Sequence, residues 1–561
     1  LVVIIMGITA LINKYTPTKK TEDLKEYFNI SSDDEAALIV NNELSDYKAK
    51  IIDKKIYVDY KFVHDSLNSR FYWDANENVL LYTTASDIIS AAADSNSYSV
   101  TKQTNDFGYP IVKATSDSAL IALDYVKQYS NITFKSYDDP ARIVITSKWD
   151  EIDSATVSKS TQVRVKGGIK SPILKEVKKD DKITILDSGD KWDKVATEDG
   201  VIGYIKRKAL SESKKTKLTN PDYEEETFTH IKKDKDICLA WNQVTSQSAN
   251  SKVPQVISST KGINVMSPTW FYLNDNNGNL ADIASKDYVS YCHSQGIEVW
   301  GLFSNFENTD VDAAYVLTHT STRTTLINQI MSAAFNYELD GVNIDFENIT
   351  EAAYGDSYIE FIRELAIKCH NNGISLSVDV TVPASFNKFF NRSDMANFAD
   401  YIVIMGYDEH YKGSDAGSVS SIPWVTEGVE STLKEVPADQ IILGMPFYTR
   451  IWELTPKEDD DAVTDTEDQS KYTVASQVYS MDAAAAQLAT NNATAALDEE
   501  SGQNYAEWSV SNKLYKVWLE DTTSLEKRLK LVDDNKLAGA AFWKLGFENS
   551  SVWDTVIKYL N

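Results

Sequence analysis

The chain has 561 residues, of which 42% are hydrophobic and 25% charged, so it is ordinary globular material and long enough for three or four domains. Its formal net charge of −27 argues against a nucleic-acid partner, which needs a basic face, and against electrostatic attraction to anionic lipid. Six histidines and three cysteines (Cys238, Cys292 and Cys369) show no metal-ligand spacing, so we expect buried thiols, no metal and no cofactor.

An apolar run opens the chain, from Leu1 to Ile12. At about 1.5 Å per residue it extends about 18 Å, less than the ~30 Å hydrocarbon core of a bilayer. We interpret residues 1–14 as the remnant of a membrane anchor or an uncleaved signal, with a buried core helix as the alternative. The first interpretation predicts membrane contact through this segment and a cell-surface, extracytoplasmic location. The polar residues 15–41 are then predicted to be a tether.

Residues 42–150 contain an internal repeat, offset by about 63 residues, in which each unit is a strand, a short helix and two strands. The first unit comprises Ile56 to Val63, Phe71, Trp73-Asp74 and Val79 to Thr83, and the second Ala119 to Val126, Phe134, Tyr137-Asp138 and Ile143 to Thr146. The pair resembles the stalk domain of copper amine oxidases and of many bacterial surface proteins. That resemblance implies a structural or wall-facing α+β module without catalytic residues.

Residues 156–212 are predicted to form a small all-β barrel, because short strands alternate with Gly-Gly, Gly-Asp and Asp-Gly turns. The run Gly189 to Val195, with Gly203-Tyr204-Ile205, resembles the bacterial Src-homology-3 barrels of wall hydrolases. The resemblance implies binding of wall peptide, and a passive spacer is the alternative. Trp192 and Tyr204 could line a groove or fill the core, and we favour the core. Residues 213–233 are predicted to be a linker.

Residues 234–561 alternate amphipathic helices with apolar strands, the pattern of an α/β fold with a parallel (β/α)8 TIM barrel. A segment at about 452–519 interrupts the pattern. It contains an acidic run from Glu458 to Asp461, an alanine-rich helix from Met481 to Ala489 and strand-like pieces, and we interpret it as an α+β insertion that deepens the cleft.

The stretch Leu339 to Thr350, LDGVNIDFENIT, contains the candidate catalytic residues. On a β-strand, Asn343, Asp345 and Glu347 share one face, opposite Val342, Ile344 and Phe346. A solvated strand face would explain the acids, but the flanking helices predict a buried strand. Glu347 then lies at a strand's carboxyl end, where active sites of this fold occur.

Asp340 to Glu347 resembles the DGxDxDxE signature of family 18 glycoside hydrolases, and Met405-Gly406-Tyr407-Asp408 resembles the MxYD motif of that family. Trp543 is similar to the tryptophan at the end of the family's last strand. Asn343 departs from the commonest pattern, which has an aspartate. The DGVNIDFEN run, Ser267 to Phe271 with Trp270, and Pro446 to Arg450 resemble the branch of bacterial cell-wall and spore-cortex N-acetylglucosaminidases.

The resemblance implies a substrate-assisted, retaining mechanism, in which Glu347 is the acid and the substrate's 2-acetamido oxygen is the nucleophile. Asp345 would hold the acetamide N–H, Tyr407 would donate to the acetamide and Asp408 would bind a hydroxyl. Trp543 would stack beneath the sugar, and Met405, Trp270 and Arg450 are further candidate substrate contacts. Asp340 and Asn343 would support the motif. Because two close carboxylates resist joint ionisation, one pKa should be raised.

An N-acetylated glycan is the expected partner, either peptidoglycan or a chitin-type oligomer. The anchor, stalk and small barrel favour the cell wall. Three alternatives stay open: a chitinase with the same chemistry, a non-catalytic glycan-binding barrel, and a wall scaffold in which the barrel is vestigial. Glu347 argues against the second, and Asn343 is the residue that favours the third.

Overall fold

The computed structural model describes residues 12–349, 354–457 and 469–560. The predicted anchor, apart from residues 12–14, and the acidic run from Glu458 lie outside these residues. Two compact units are present, with the main boundary between Glu226 and Thr227. Within the described ranges, no helix is both long and apolar enough to cross a membrane.

The first unit begins with two sheets that share a core. The two halves of the sequence repeat have the same element order: Lys55–Asp59, Tyr60–Ser66, Phe71–Asp74 and Val79–Thr83 in one, and Ala119–Ala122, Leu123–Gln128, Thr133–Tyr137 and Arg142–Thr146 in the other. Their last two strands join different sheets. Those of the second half extend a mixed sheet that also contains Glu35–Val40, Glu43–Ile52 and Val112–Ala114, whereas those of the first half begin an antiparallel sheet with Ile88–Ala92, Ser97–Val100 and Gln103–Asp106.

The predicted tether is partly wrong, because it contains the helix Leu24–Tyr27 and the buried strand Glu35–Val40. The apolar run Ala36 to Val40 pairs in parallel with Arg142–Thr146 and antiparallel with Glu43–Ile52. Burial of both strand faces explains why this run is apolar without alternation.

A second antiparallel sheet follows in the first unit. In spatial order its strands are Ile173–Val177, Thr161–Arg164, Ile202–Lys206, Trp192–Thr197, Lys182–Asp187, Glu151–Thr156 and Lys214–Lys217. The last strand lies in the predicted linker, which therefore begins later than expected. Trp192 and Tyr204 are only half-buried and lie outside the core, which corrects the favoured interpretation.

The second unit is the predicted (β/α)8 barrel, with eight parallel strands in the described part of the chain. They are β1 (Ile237–Asn242), β2 (Val265–Leu273), β3 (Glu298–Ser304), β4 (Gly341–Asp345), β5 (Ser375–Thr381), β6 (Tyr401–Met405), β7 (Ile441–Pro446) and β8 (Gly539–Trp543). Each pairs with the next, and β8 pairs with β1 to close the barrel. The helices around it are Val253–Ile257, Lys286–Ser294, Ala313–Thr318, Thr320–Tyr337, Gly355–His370, Arg392–Phe398, Ile422–Thr432, Thr522–Asn535 and Val552–Tyr559.

The insertion follows β7 and begins at Tyr448, four residues before the predicted start. Its antiparallel sheet has the spatial order Tyr472–Ser480, Tyr448–Pro456, Lys513–Leu519, Gln503–Val510 and Ala496–Asp498, with the helix Met481–Thr490. At its end, buried Glu520 accepts two hydrogen bonds from Arg528, at 2.7 and 2.8 Å. Arg528 also donates to the Ser420 carbonyl at 2.7 Å, so one buried guanidinium joins the insertion to the barrel.

Barrel closure depends on Gly539, which lies beside Ile237 in the β8–β1 register. A Cβ at position 539 would lie 2.0 Å from the Ile237 carbonyl oxygen. We therefore expect Gly539→Ala to lower the free energy of unfolding by about 3 kcal/mol or more, because backbone atoms must move. Denaturant titration measures this loss. The same exchange at Gly168, where an added Cβ meets no atom within 4 Å, is the control. Equal effects at both positions would contradict the prediction.

Candidate active site

The site lies at the carboxyl ends of β4, β5 and β6. Alternation along β4 points Asn343 and Asp345 to the inner face, and alternation along β5 does the same for Ser377 and Asp379. A cavity of about 510 Å³ opens there. Its lining includes Trp241, Thr269, Glu307, Asp345, Glu347, Asp379, Met405, Tyr407, Asp408 and Trp543.

Asn343 is fully buried at the base of this cluster, and its amide makes four hydrogen bonds. The side-chain oxygen accepts from Trp241 Nε1 at 2.9 Å and from Ser267 Oγ at 3.0 Å. The side-chain nitrogen donates to Asp379 Oδ1 at 2.7 Å and to Ser377 Oγ at 3.0 Å. Two acceptor and two donor positions are all used, which fixes the orientation of the amide.

Asp345 is 6% exposed, and its Oδ1 has no hydrogen-bond partner among the described residues. Burial raises the pKa of this carboxyl well above its ordinary value, and the nearby carboxylates of Asp379, Glu347 and Glu307 raise it further. Asp345 therefore retains its proton to higher pH than an exposed aspartate does.

Glu347 stands at the mouth of the cavity with part of its surface in solvent. Desolvation by the cavity walls raises its pKa above the ordinary value, and Asp408 and Glu307 add to the rise. Both Asp345 and Glu347 thus have raised pKa values, and the charge of Glu347 contributes to the rise at Asp345. A carboxyl that keeps its proton near neutral pH is suited to general acid catalysis.

Tyr407 and Asp408 follow β6. Desolvation, together with the charges of Asp345 and Asp379, raises the pKa of Tyr407 well above its ordinary value, so its hydroxyl remains a donor. Asp408 has a left-handed backbone, with φ of +61°. Its Oδ1 accepts from the Tyr448 hydroxyl at 2.5 Å and lies 3.8 Å from Arg450 Nη2. Two residues of the insertion, Tyr448 and Arg450, therefore bind the Asp408 carboxylate, which lines the cavity.

Trp543 ends β8 and is half-buried in the cavity wall. Its ring lies edge-on to Trp241, with centroids 6.1 Å apart. Trp241 also packs edge-on against Tyr407 at 6.4 Å. The cavity thus combines an aromatic side with a cluster of carboxyls, which is a surface suited to a polar ring with an apolar face.

Residues 309–548 match the family model for glycosyl hydrolases family 18. This match lies within the barrel and covers less than half of the chain. Among curated proteins, the uncharacterized glycosylase YvbX of Bacillus subtilis (strain 168) is 24% identical over 302 residues, which is 51% of this chain and 81% of that protein. The cortical fragment-lytic enzyme of the same strain is 24% identical over 287 residues, 49% of this chain and 63% of that protein.

Solved structures support the fold of the barrel. The chitinase from Chromobacterium violaceum ATCC 12472 aligns with a TM-score of 0.50 at 20% identity, over 58% of this chain and 98% of that one. The spore cortex-lytic enzyme SleL of Bacillus cereus aligns with a TM-score of 0.51 at 19% identity, over 59% and 76%. The fold is therefore that of a TIM barrel, and the family model and the two curated relatives identify the protein as a glycoside hydrolase.

The cavity brings together most of the side chains singled out from the sequence. Glu347, Asp345, Tyr407, Asp408, Met405 and Trp543 all line it. Asn343 lies beneath them. Asp340 is at the opposite, amino end of β4, where its Oδ2 accepts from the Val299 N–H at 2.8 Å and lies 2.8 Å from His293 Nε2. Asp340 thus supports the motif by linking β4 to β3.

The structure does not place Trp270 or Arg450 on the cavity lining. Trp270 is 0% exposed and donates from Nε1 to Asn250 Oδ1 at 2.8 Å. Thr269, its neighbour on β2, points inward to the cavity, whereas Trp270 points to the opposite side, toward the helix layer. The prediction of substrate contact by Trp270 is therefore wrong. Arg450 is half-buried, and its guanidinium forms an ion pair with the carboxylate of Asp408.

The cavity residues missed in the sequence include two carboxyls, Asp379 and Glu307, and the aromatic Trp241. The alternation of Ser375, Ser377, Asp379 and Thr381 along β5 was an available signal for Asp379. Glu307 follows β3 in a loop and accepts from Ser304 Oγ at 2.6 Å, a position that no periodic pattern marks.

The cysteines are buried thiols, as expected. Burial raises the pKa of Cys238 and of Cys292 to about 12. Among the residues that the structure describes, no group of histidine, cysteine, aspartate or glutamate has a geometry that would hold a metal ion.

Asp345 gives the barrel a pH-dependent stability. Its folded-state pKa is raised above the unfolded value of about 3.9, so the folded state binds the proton more tightly. This contribution is fully present below pH ~4 and is lost as the pH rises through the folded-state pKa. Asp345→Asn removes the loss, so we expect its thermal midpoint to exceed that of the wild type by about 2 to 4 °C at pH 8 and to match it at acid pH.

Thermal unfolding between pH 4 and pH 8 measures this difference. The exposed Asp287→Asn exchange is the control, because it changes the same chemical group on a solvated helix. A difference between Asp345→Asn and the wild type that stays constant with pH would contradict the prediction.

Proposed function

We propose that this protein hydrolyses β-1,4 bonds on the reducing side of N-acetylglucosamine, in peptidoglycan, by a retaining and substrate-assisted mechanism. One observation supports the proposal most directly. Glu347, at the cavity mouth, and Asp345, two residues earlier on the same strand face, both have raised pKa values, in a cavity that also contains Tyr407 and Trp543.

In the first step, Glu347 donates its proton to the glycosidic oxygen as the bond to the anomeric carbon breaks. The oxygen of the substrate's own 2-acetamido group attacks that carbon, so an oxazolinium forms and the protein supplies no covalent nucleophile. Glu347, now a carboxylate, takes a proton from the water that opens the oxazolinium. Two displacements at the anomeric carbon retain its configuration.

Asp345 faces the acetamide in this arrangement and holds its N–H. The position of Asp345 on the cavity lining supports this role. The Tyr407 hydroxyl keeps its proton and donates to the acetamide oxygen. Trp543 packs beneath the sugar ring, and Asp408, held by Tyr448 and Arg450, accepts from a sugar hydroxyl.

Peptidoglycan is favoured as the substrate because relatives of the barrel include a cortical fragment-lytic enzyme and solved relatives include a spore cortex-lytic enzyme. The predicted anchor, stalk and small β barrel agree with a cell-surface, extracytoplasmic enzyme attached at its N-terminus. In this proposal the sheet that contains Trp192 binds wall peptide, and its half-buried indole is accessible for such a contact.

A chitinase is the second candidate. The fold is shared with the Chromobacterium violaceum chitinase, and a chitinase-like mite allergen of Dermatophagoides farinae is 25% identical over 238 residues. Such an enzyme would use the same catalytic groups and differ in the surfaces that bind the neighbouring sugars. A non-catalytic glycan-binding barrel is disfavoured because Glu347 and its raised pKa are retained.

Glu347→Gln tests the proposed acid. Glutamine keeps the size of the side chain but cannot donate the proton, so we expect kcat to fall by roughly 10²- to 10⁴-fold with little change in KM. Release of reducing ends from purified peptidoglycan measures the rate. Glu427→Gln, on the exposed side of a barrel helix, is the matched control and should retain full activity. An unchanged rate for Glu347→Gln would refute the assignment.

Mass spectrometry of the products distinguishes the substrates. The protein is incubated separately with peptidoglycan and with N-acetylglucosamine oligomers, each with and without the Glu347→Gln exchange. We expect new N-acetylglucosamine reducing ends from peptidoglycan, absent with the variant. Cleavage of the oligomers alone would favour a chitinase, and binding without cleavage of either would indicate a lectin-like barrel.

A further inference from the structure

Asp379 on β5 is a buried carboxyl beside the motif strand, and the proposed mechanism assigns it no role. The parallel register places Asn343 beside Ser377 and Ile344 beside Val378. Asp345 and Asp379 are therefore the next residues along two adjacent strands, about 4.8 Å apart, and both face the cavity. Asp379 is 3% exposed.

Asn343 connects this second carboxyl to the motif. Its Nδ2 donates to Asp379 Oδ1 at 2.7 Å, and its Oδ1 is held by Trp241 and Ser267. An aspartate at position 343 would lose this donor and would place a carboxylate against Asp379. The amide at position 343 and the carboxylate at position 379 are therefore complementary.

Titratable groups from several elements face this pair. Glu347 follows Asp345 on β4, Glu307 follows β3, and Tyr407 and Asp408 follow β6. Tyr358, on the helix after β4, is buried, and the charges of Asp379 and Asp345 contribute to its raised pKa. Arg450 is a nearby cation, 3.8 Å from Asp408. Asp379 is the largest charged contributor to the raised pKa of Asp345.

We propose that Asp379 is a positioning residue that supplies, from β5, the second buried carboxyl beside Asp345. The pair then shares one proton and one negative charge, and the Asn343 amide holds Asp379 in place. The inference rests on the proposed function. Full ionisation of two adjacent buried carboxyls is unfavourable, so a single negative charge stays next to the acetamido group while one proton is retained. That charge stabilises the oxazolinium as it forms.

An exchange of the two side chains tests the proposal. Asp379→Asn removes the like charge and therefore lowers the pKa of Asp345. We expect kcat to fall about 100-fold, KM to stay within about threefold and the kcat–pH profile to move to lower pH. The double variant Asn343→Asp with Asp379→Asn restores one amide and one carboxyl in swapped positions. We expect it to recover kcat to within about tenfold of the wild type and to return the profile toward that of the wild type.

The Asp400→Asn exchange is the matched control. Asp400 is a buried aspartate at the amino end of the barrel strands, where it accepts from the Leu376 N–H at 2.8 Å and the Ile231 N–H at 2.6 Å. Its loss should lower thermal stability without moving the kcat–pH profile. An unmoved profile for Asp379→Asn, or a double variant no better than the single one, would overturn the proposal.

The full-length wild type and Glu347→Gln are assayed in the same series. A wild type that cleaves neither peptidoglycan nor N-acetylglucosamine oligomers would overturn the proposed function together with this inference. If the wild type is active and Glu347→Gln is not, an Asp379→Asn profile identical to that of the wild type overturns only the inference. Should Asp379→Asn fail to fold, Asn343→Asp replaces it. That variant adds a like charge, so its profile should move to higher pH, and an unmoved profile would overturn the proposal.

Discussion

The exclusion of water from a group of carboxyls at one end of a parallel barrel is the constraint on which the site depends. Asp345 and Asp379 lie on adjacent strands, both nearly without exposure, and neither has a cationic partner among its hydrogen bonds in the described structure. An isolated buried carboxylate is costly, and the cost is reduced when the group keeps its proton. Their raised pKa values follow directly from this arrangement.

The parallel sheet makes this crowding possible. In a βαβ repeat every strand ends at the same edge, so one side chain from each of β4, β5 and β6 reaches the same cavity. The Asn343 amide then limits the electrostatic cost, because it presents a donor to Asp379 and acceptors to Trp241 and Ser267. A neutral amide beside Asp379 therefore satisfies that carboxyl without adding a further charge to the cluster.

The parts of the site that could be predicted from sequence are those within a single strand or a short motif. Asp345 and Glu347 were found because period-2 alternation relates them in one segment, and Tyr407, Asp408 and Trp543 because they belong to recognisable motifs. Alternation along β5 could have placed Asp379 on the inner face, but its contact with Asn343, 36 residues away, depends on the register between strands, which no local pattern specifies. Trp270 was selected from a motif resemblance, which does not specify the face of the strand, and β2 has a register shift between Thr269 and Phe271.

The same limit applies to the fold. The helix–strand alternation was sufficient to predict the (β/α)8 barrel. The boundaries of individual strands could not be predicted in this way, because they depend on pairing with distant segments. The strand Tyr448–Pro456 follows β7 after a single residue, but Ile451 to Leu454 pair antiparallel with Leu514 to Val517, so it belongs to the insertion. The apolar run at Ala36 was hidden in a polar region because its partner, Arg142–Thr146, is about a hundred residues away.

The insertion also determines part of the cavity's charge distribution. Asp408 adopts a left-handed backbone, a conformation that costs energy for a residue with a Cβ and that persists where its surroundings hold it. The Tyr448 hydroxyl and Arg450, both on the first strand of the insertion, bind that carboxylate from outside the barrel. At the other end of the insertion, Glu520 and Arg528 form a buried pair that reaches the Ser420 carbonyl. Because both ends are tied to the barrel, the position of Asp408, and with it the charge next to Glu347, depends on a segment that belongs to no strand of the barrel.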